Sequence, residues 1–128
     1  MSEIVFLGKV FSGHGNGKKF LEMPWVKKQI EEQLGFSPFL GTLNLRLTRK
    51  NAKKRSLLET SGGLVIAPQT SYYPGVLFRA TIEALECAVV IPIMPNYPTD
   101  ILEVIAPVYL RGELKLIDGS EVVVSVKV

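Results

Sequence analysis

Residues Gly41 to Leu47 alternate without a break: Leu43, Leu45 and Leu47 point one way, Thr42, Asn44 and Arg46 the other. A period of two is the mark of a strand with one buried face, and it fixes which residues share a side. The leucines belong to a core, and the polar trio to solvent or to a site. Short apolar runs of the same kind recur along the chain. Ile4 to Phe11, Gly63 to Ala67, Val76 to Ile82 and Leu102 to Ala106 read as strands, with Val76, Phe78, Ala80 and Ile82 sharing one face. Cys87 to Ile91 is continuously apolar, as suits a buried strand. The proline-rich Pro92 to Pro98 can be neither a central strand nor a helix. Asp118-Gly119 signals a turn before a Val-rich final strand, Glu121 to Val128.

One amphipathic helix is readable, near 24–34. Pro24 suits its first position, Val26, Ile30 and Leu34 recur every four residues, and Gly35 is placed to end it in the left-handed conformation. A short helical turn fits near 110–115. Lys50 to Ser61 and Gln69 to Gly75 read as loops. Ser12 to Gly17 reads as a glycine-rich turn, joining Ile4–Phe11 to a second strand at Lys18–Met23. Many short strands with one helix imply a mainly β fold. Closure into a barrel would leave no exposed edges.

A chain of 128 residues suits one domain, and its 47 % hydrophobic and 21 % charged content excludes a disordered chain. The single cysteine, Cys87, excludes an internal disulfide and fits a reducing cytoplasm. The N-terminus has no signal-peptide pattern, and prolines interrupt the one apolar stretch that approaches a membrane span. The formal charge of +3 is compatible with an anionic ligand, nucleic acid included. Lys50, Lys53, Lys54 and Arg55 cluster, which describes a solvated loop before it describes a binding patch.

Three constellations can carry chemistry. In Gly13-His14-Gly15-Asn16-Gly17-Lys18 the glycines allow backbone N–H groups close to phosphate oxygens, and the lysine adds charge. The spacing is not that of a P-loop or of a dinucleotide fingerprint, so an ordinary hairpin loop is the alternative. Thr42 and Asn44 share a strand face and offer hard neutral oxygens of the kind Mg²⁺ accepts, although a half-exposed polar face accounts for them too. Glu103, between Leu102 and Val104, could orient or deprotonate a hydroxyl, or simply face solvent. With one histidine and one cysteine, a zinc site of ordinary composition cannot be built.

Taken together, these segments resemble the archaeal CTP-dependent riboflavin kinase family. The likeness rests on Gly-x-Gly-x-Gly-Lys followed by Phe20, on Gly35-Phe36, and on Gly41-Thr42-Leu43-Asn44-Leu45 with Leu47. It continues through Cys87–Pro92, Leu102-Glu103-Val104-Ile105-Ala106-Pro107, Leu110-Arg111 and Asp118-Gly119. It covers nearly the whole chain and is weakest between Lys50 and Pro74. The resemblance implies a compact six-stranded cradle-loop barrel spanning residues 1–128. That leaves no room for the N-terminal DNA-binding domain that some members carry. It implies a Mg²⁺-dependent riboflavin kinase that makes FMN and CDP from riboflavin and CTP. Gly13, His14, Gly15, Asn16, Gly17 and Lys18 would hold the nucleotide, with Val108, Tyr109, Leu110 and Arg111 completing the pocket. Lys18 would also offset phosphate charge during transfer. Thr42 and Asn44 would hold Mg²⁺, and Glu103 would contact the flavin. A family threonine that also contacts the flavin falls here on Pro95, so Asn96 or Thr99 is expected to stand in. The expected protein is a cytoplasmic monomer with no nucleic-acid or membrane partner. The rival readings are a non-catalytic barrel that binds nucleic acid or nucleotide through Lys50–Arg55, Tyr72 and Tyr73, and an assembly module that pairs through Val-rich strands.

Overall fold

The computed structural model describes residues 2–13, 15–69 and 72–128. The described residues form seven strands and four helices. Strand β1 (Glu3–Phe11) buries Phe6 and Val10 on one face and exposes Val5, Leu7 and Lys9 on the other. It pairs antiparallel with β2 (Leu43–Leu47) on one side and β7 (Glu121–Lys127) on the other. Strands β4 (Gly75–Ile82), β5 (Leu85–Pro92) and β6 (Ile101–Ile105) complete the sheet, and a short β4–β7 pairing at Ala80 and Thr81 closes it. The result is the expected six-stranded antiparallel barrel, with one extra strand. That strand, β3 (Leu64–Ile66), pairs with the first residues of β4, beyond the point where β7 leaves off.

The barrel interior is filled from each of the six barrel strands, as alternation requires. Phe6, Leu43, Leu45, Leu47, Phe78, Val89, Leu102 and Val124 are among its buried side chains. Strands β1 and β2 come so close that a Cβ on Gly8 would lie 2.9 Å from that of Leu45. A second apolar cluster lies outside the barrel wall. Helices α1 (Asn16–Glu22) and α2 (Pro24–Leu34) lay Leu21, Val26, Ile30 and Leu34 over Ala88, Val90 and Ile105. This explains the unbroken apolar run of β5, whose side chains are covered on both faces. Cys87 faces the interior, where burial pushes its thiol up to about 12 and leaves it inert.

Two expectations are corrected. Lys18–Met23 is not the second strand of a hairpin. Both edges of β1 are taken by β2 and β7, and the segment instead coils into α1, with Leu21 buried and Phe20 edge-on to Trp25. Lys50–Ser61 is not a loop but mostly helix α3 (Arg49–Glu59), capped by the Thr48 hydroxyl, which accepts the Asn51 N–H. Its buried face is Asn51, Arg55 and Leu58, spaced as a helix requires but mainly polar, so no apolar period betrays it. The helix near 24–34 and the short turn (α4, Leu110–Glu113) stand where expected, and Gly35 ends α2 at φ 79°.

The β4–β5 hairpin turns on Glu83 and Ala84, with φ of 47° and 68°, between the paired Ile82 and Leu85. Positive φ at both central residues is the geometry that Asn-Gly favours, and each ordinary residue held there costs about 1–2 kcal/mol. Gly gives back about 0.5–1 kcal/mol through the unfolded chain. The double change Glu83→Asn/Ala84→Gly is therefore expected to stabilise the fold by about 1.5 kcal/mol. A urea titration with a raised midpoint and unchanged slope checks this.

Candidate functional site

The register of three strand pairs lines up four residues in one rung. Phe11 on β1 faces Asn44 on β2, Asn44 faces Glu103 on β6, and Glu103 faces Val90 on β5. Their neighbours Val10, Leu45, Leu102, Val104 and Val89 point into the barrel, so this rung points outward. All four side chains line one cleft of about 770 Å³ on the outer face of the barrel. That volume is within the ordinary range for small-molecule sites. Helix α1 and the glycine loop form one wall. Phe39 to Thr42, Tyr72 to Gly75, Pro92, Met94, Tyr97, Ile101, Ile105, Tyr109 and Arg111 supply the rest.

At the floor, the Thr42 hydroxyl lies 3.1 Å from Asn44 Oδ1 and 3.2 Å from Glu103 Oε1, so its single proton serves one acceptor at a time. The other carboxylate oxygen of Glu103 accepts the Tyr97 phenol. Burial, reinforced by the Glu103 charge and hydrogen bond, raises the Tyr97 phenol well above its ordinary value, so it stays a donor. Behind Tyr97 lies the Arg55 guanidinium, 5.4 Å from the ring centroid. Its Nε donates to the Ile101 carbonyl (2.9 Å) and the residue is 3 % exposed. Burial lowers the Arg55 guanidinium from its ordinary value, opposed by Tyr97, Glu59, Glu103 and Asp100.

The glycine loop sits directly on this floor. A Cβ on Gly13 would fall 2.5 Å from Asn44 Nδ2, and one on Gly17 would fall 2.5 Å from Thr42 Oγ1. No side chain larger than hydrogen fits at either position without displacement. Gly15, at φ 80°, caps α1 without a side-chain hydrogen bond. Lys18 lines the cleft and is exposed, 3.9 Å from Glu22. Arg111 ties the loop to the far turn. Its Nη2 donates to Asp118 Oδ1 (2.8 Å), and the Ser12 hydroxyl also donates to that carboxylate (2.9 Å). These bonds, Arg111 first, hold the Asp118 carboxyl below its ordinary value. Tyr109 stacks on Phe39, ring centroids 5.0 Å apart. Val108 and Leu110 line a smaller hollow of about 120 Å³ that shares Phe39, Gly41, Thr42, Tyr109 and Arg111 with the main cleft.

The fold thus brings Gly13, Gly15, Asn16, Gly17, Lys18, Thr42, Asn44, Glu103, Tyr109 and Arg111 to one cleft. His14 lies outside the described residues. Asn96 and Thr99 are exposed and do not line it. Asn96 instead occupies a turn at φ 62° after Pro95, closed by the Tyr97 N–H on the Met94 carbonyl (3.4 Å). Tyr97, which the sequence reading passed over, takes the place beside Glu103. Its only signal was an aromatic following a Pro-Asn turn. Among the described residues no group of His, Cys, Asp and Glu gathers as a metal cage. A Thr hydroxyl and an Asn carbonyl side by side at a glycine cradle fit Mg²⁺, which keeps most of its waters and shares phosphates. No helix among the described residues is long and apolar enough to cross a membrane. Arg55 is withdrawn from the basic run Lys50–Arg55, because its charge lies buried behind Tyr97.

Residues 10–126 match the family model CTP-dep_RFKase, described as a domain of unknown function, DUF120. A protein of Methanosarcina barkeri named riboflavin kinase is 38 % identical over 124 residues, covering 94 % of this chain and 55 % of its own length. Proteins of the same name from Pyrobaculum aerophilum and Ignicoccus hospitalis are 41 % and 40 % identical, covering 98 % and 93 % of this chain and 62 % and 69 % of their own lengths. The chain therefore spans between about half and two thirds of the curated relatives it matches here.

Proposed function

Because this chain belongs to the CTP-dependent riboflavin kinase family, we propose that it transfers the terminal phosphoryl group of CTP to the terminal ribityl hydroxyl of riboflavin, giving CDP and FMN. The observation that carries this reading is the contact of Glu103 with Thr42 beneath the glycine loop. It sets a carboxylate able to receive a hydroxyl beside a floor able to take a phosphate-bound cation.

Phosphoryl transfer asks little covalent chemistry of a protein. It asks for two reactants held in line and for negative charge to be offset. In this reading Gly13, Gly15, Asn16 and Gly17 bring backbone groups to the triphosphate, and Lys18 exchanges its loose contact with Glu22 for the donor phosphates. Val108 to Arg111 complete the nucleotide pocket. Thr42 and Asn44 would hold Mg²⁺, which would offset charge on the donor phosphates. Glu103 receives the acceptor hydroxyl, orients it toward the phosphorus and takes its proton as the new P–O bond forms. The apolar side chains Phe11, Val90, Pro92, Met94 and Ile101 offer surface for the flavin ring.

Nothing in this scheme needs a nucleic-acid partner or a second copy of the chain. The reading is tested by incubating the purified chain with riboflavin, CTP and Mg²⁺ and following FMN by chromatography. FMN appearing only when all three are present supports it.

A further inference from the structure

We infer that Tyr97 is a positioning residue for the acceptor: it fixes the Glu103 carboxylate in the one orientation that receives the substrate hydroxyl, with Arg55 as its backstop. The inference rests on the reading of Glu103 given above.

An ionised carboxylate offers about four acceptor positions on two oxygens. Here one oxygen lies within reach of the Thr42 hydroxyl, whose proton it shares with Asn44 Oδ1, and the other accepts the Tyr97 phenol. With a partner at each oxygen, the plane of the carboxylate is set, and the side chain lines the cleft. A glutamate held at one end only would rotate about its last bond, whose torsional preference is broad.

Tyr97 is itself held from two directions. The Pro95-Asn96 turn delivers it: proline presets φ at the first corner, and asparagine tolerates the left-handed second corner at φ 62°. The Arg55 guanidinium then lies against the ring at 5.4 Å. That guanidinium also holds the Ile101 carbonyl, two residues before Glu103 on the same strand. One buried cation thus braces both the strand that carries the carboxylate and the ring that orients it. This gives helix α3 a task at the site although only its buried face reaches it.

The test is a double-mutant cycle on FMN formation, using Tyr97→Phe and Glu103→Ala. Phe keeps the ring against Arg55 and removes only the phenol. We expect Y97F to lower kcat about tenfold with the KM for CTP unchanged, because misplaced reacting groups cost rate rather than donor affinity. In the Glu103→Ala background, Y97F should change kcat by less than about twofold, since the group it acts through is gone. A Y97F enzyme as fast as the parent overturns the inference while leaving the kinase reading intact. The same tenfold loss in both backgrounds also overturns it, because Tyr97 would then act independently. A parent chain that makes no FMN fails the kinase reading itself, and this inference with it. Should Y97F not fold, Tyr97→Trp removes the phenol while keeping an aromatic face for Arg55, and the same cycle applies.

Discussion

Gly17→Ala is expected to lower FMN formation by about 100-fold while leaving the barrel folded. Gly17 lies in α1, where alanine is the better helix former by about 1 kcal/mol. Its φ is not in the left-handed region, so an alanine backbone is at ease there. The penalty comes entirely from contact. The new methyl would lie 2.5 Å from Thr42 Oγ1 and 2.6 Å from its Cγ2. Restoring ordinary van der Waals distance moves the first turn of α1 off the floor by about 1 Å, and such a shift at a reacting centre costs about two orders of magnitude in rate. Overpacking of about 1–3 kcal/mol exceeds the helix gain by about 0–2 kcal/mol, so the melting temperature should fall by several degrees at most and the chain stay folded. The pairing of lost turnover with a retained fold is what steady-state rates and a thermal melt check. A G17A enzyme with parental rates would mean that the loop does not work from this seat on Thr42.

The second large effect is expected at Glu103. Glu103→Gln keeps the side-chain shape and lets the local network survive with one polarity reversed. The amide oxygen accepts from Thr42, and the amide nitrogen donates to the Tyr97 oxygen, where the phenol donated before. The fold should therefore be indifferent. What is lost is the negative charge and with it the ability to take a proton. We expect kcat to fall by about 100-fold, the lower end for removal of a general base, with the KM for CTP within about twofold of the parent. Full turnover in E103Q would remove Glu103 from proton handling.

Much of this site was legible because alternation is a strong constraint. Thr42 and Asn44 fall on the polar side of a strand whose leucines must go inward, so their presentation together followed from the sequence. Their meeting with Glu103 followed from the family resemblance and not from periodicity. It depends on the register of β2 against β6, and single-sequence periodicity carries no information about which strand lies next to which. The glycine loop was legible as a close-approach element, but its continuation was misread. Lys18 to Glu22 is too short to separate a helical from an alternating pattern, and what decided it was that β1 had no free edge. Helix α3 was hidden for a different reason. Its inward face carries Asn51, which accepts the Leu7 N–H at 3.0 Å, and Arg55, which holds the Ile101 carbonyl. Polar groups buried for hydrogen bonding look, in sequence, like solvent-facing ones. Tyr97 was missed through that same gap, since the residue that braces it was counted among the charges of a loop.

The decisive question is whether this cleft transfers phosphate to riboflavin, and from which donor. The chain, riboflavin and Mg²⁺ should be incubated in parallel with CTP, ATP, GTP and UTP, and FMN quantified by chromatography. A CTP-dependent riboflavin kinase forms FMN preferentially with CTP. Folded protein that yields no FMN with any of the four donors would contradict it.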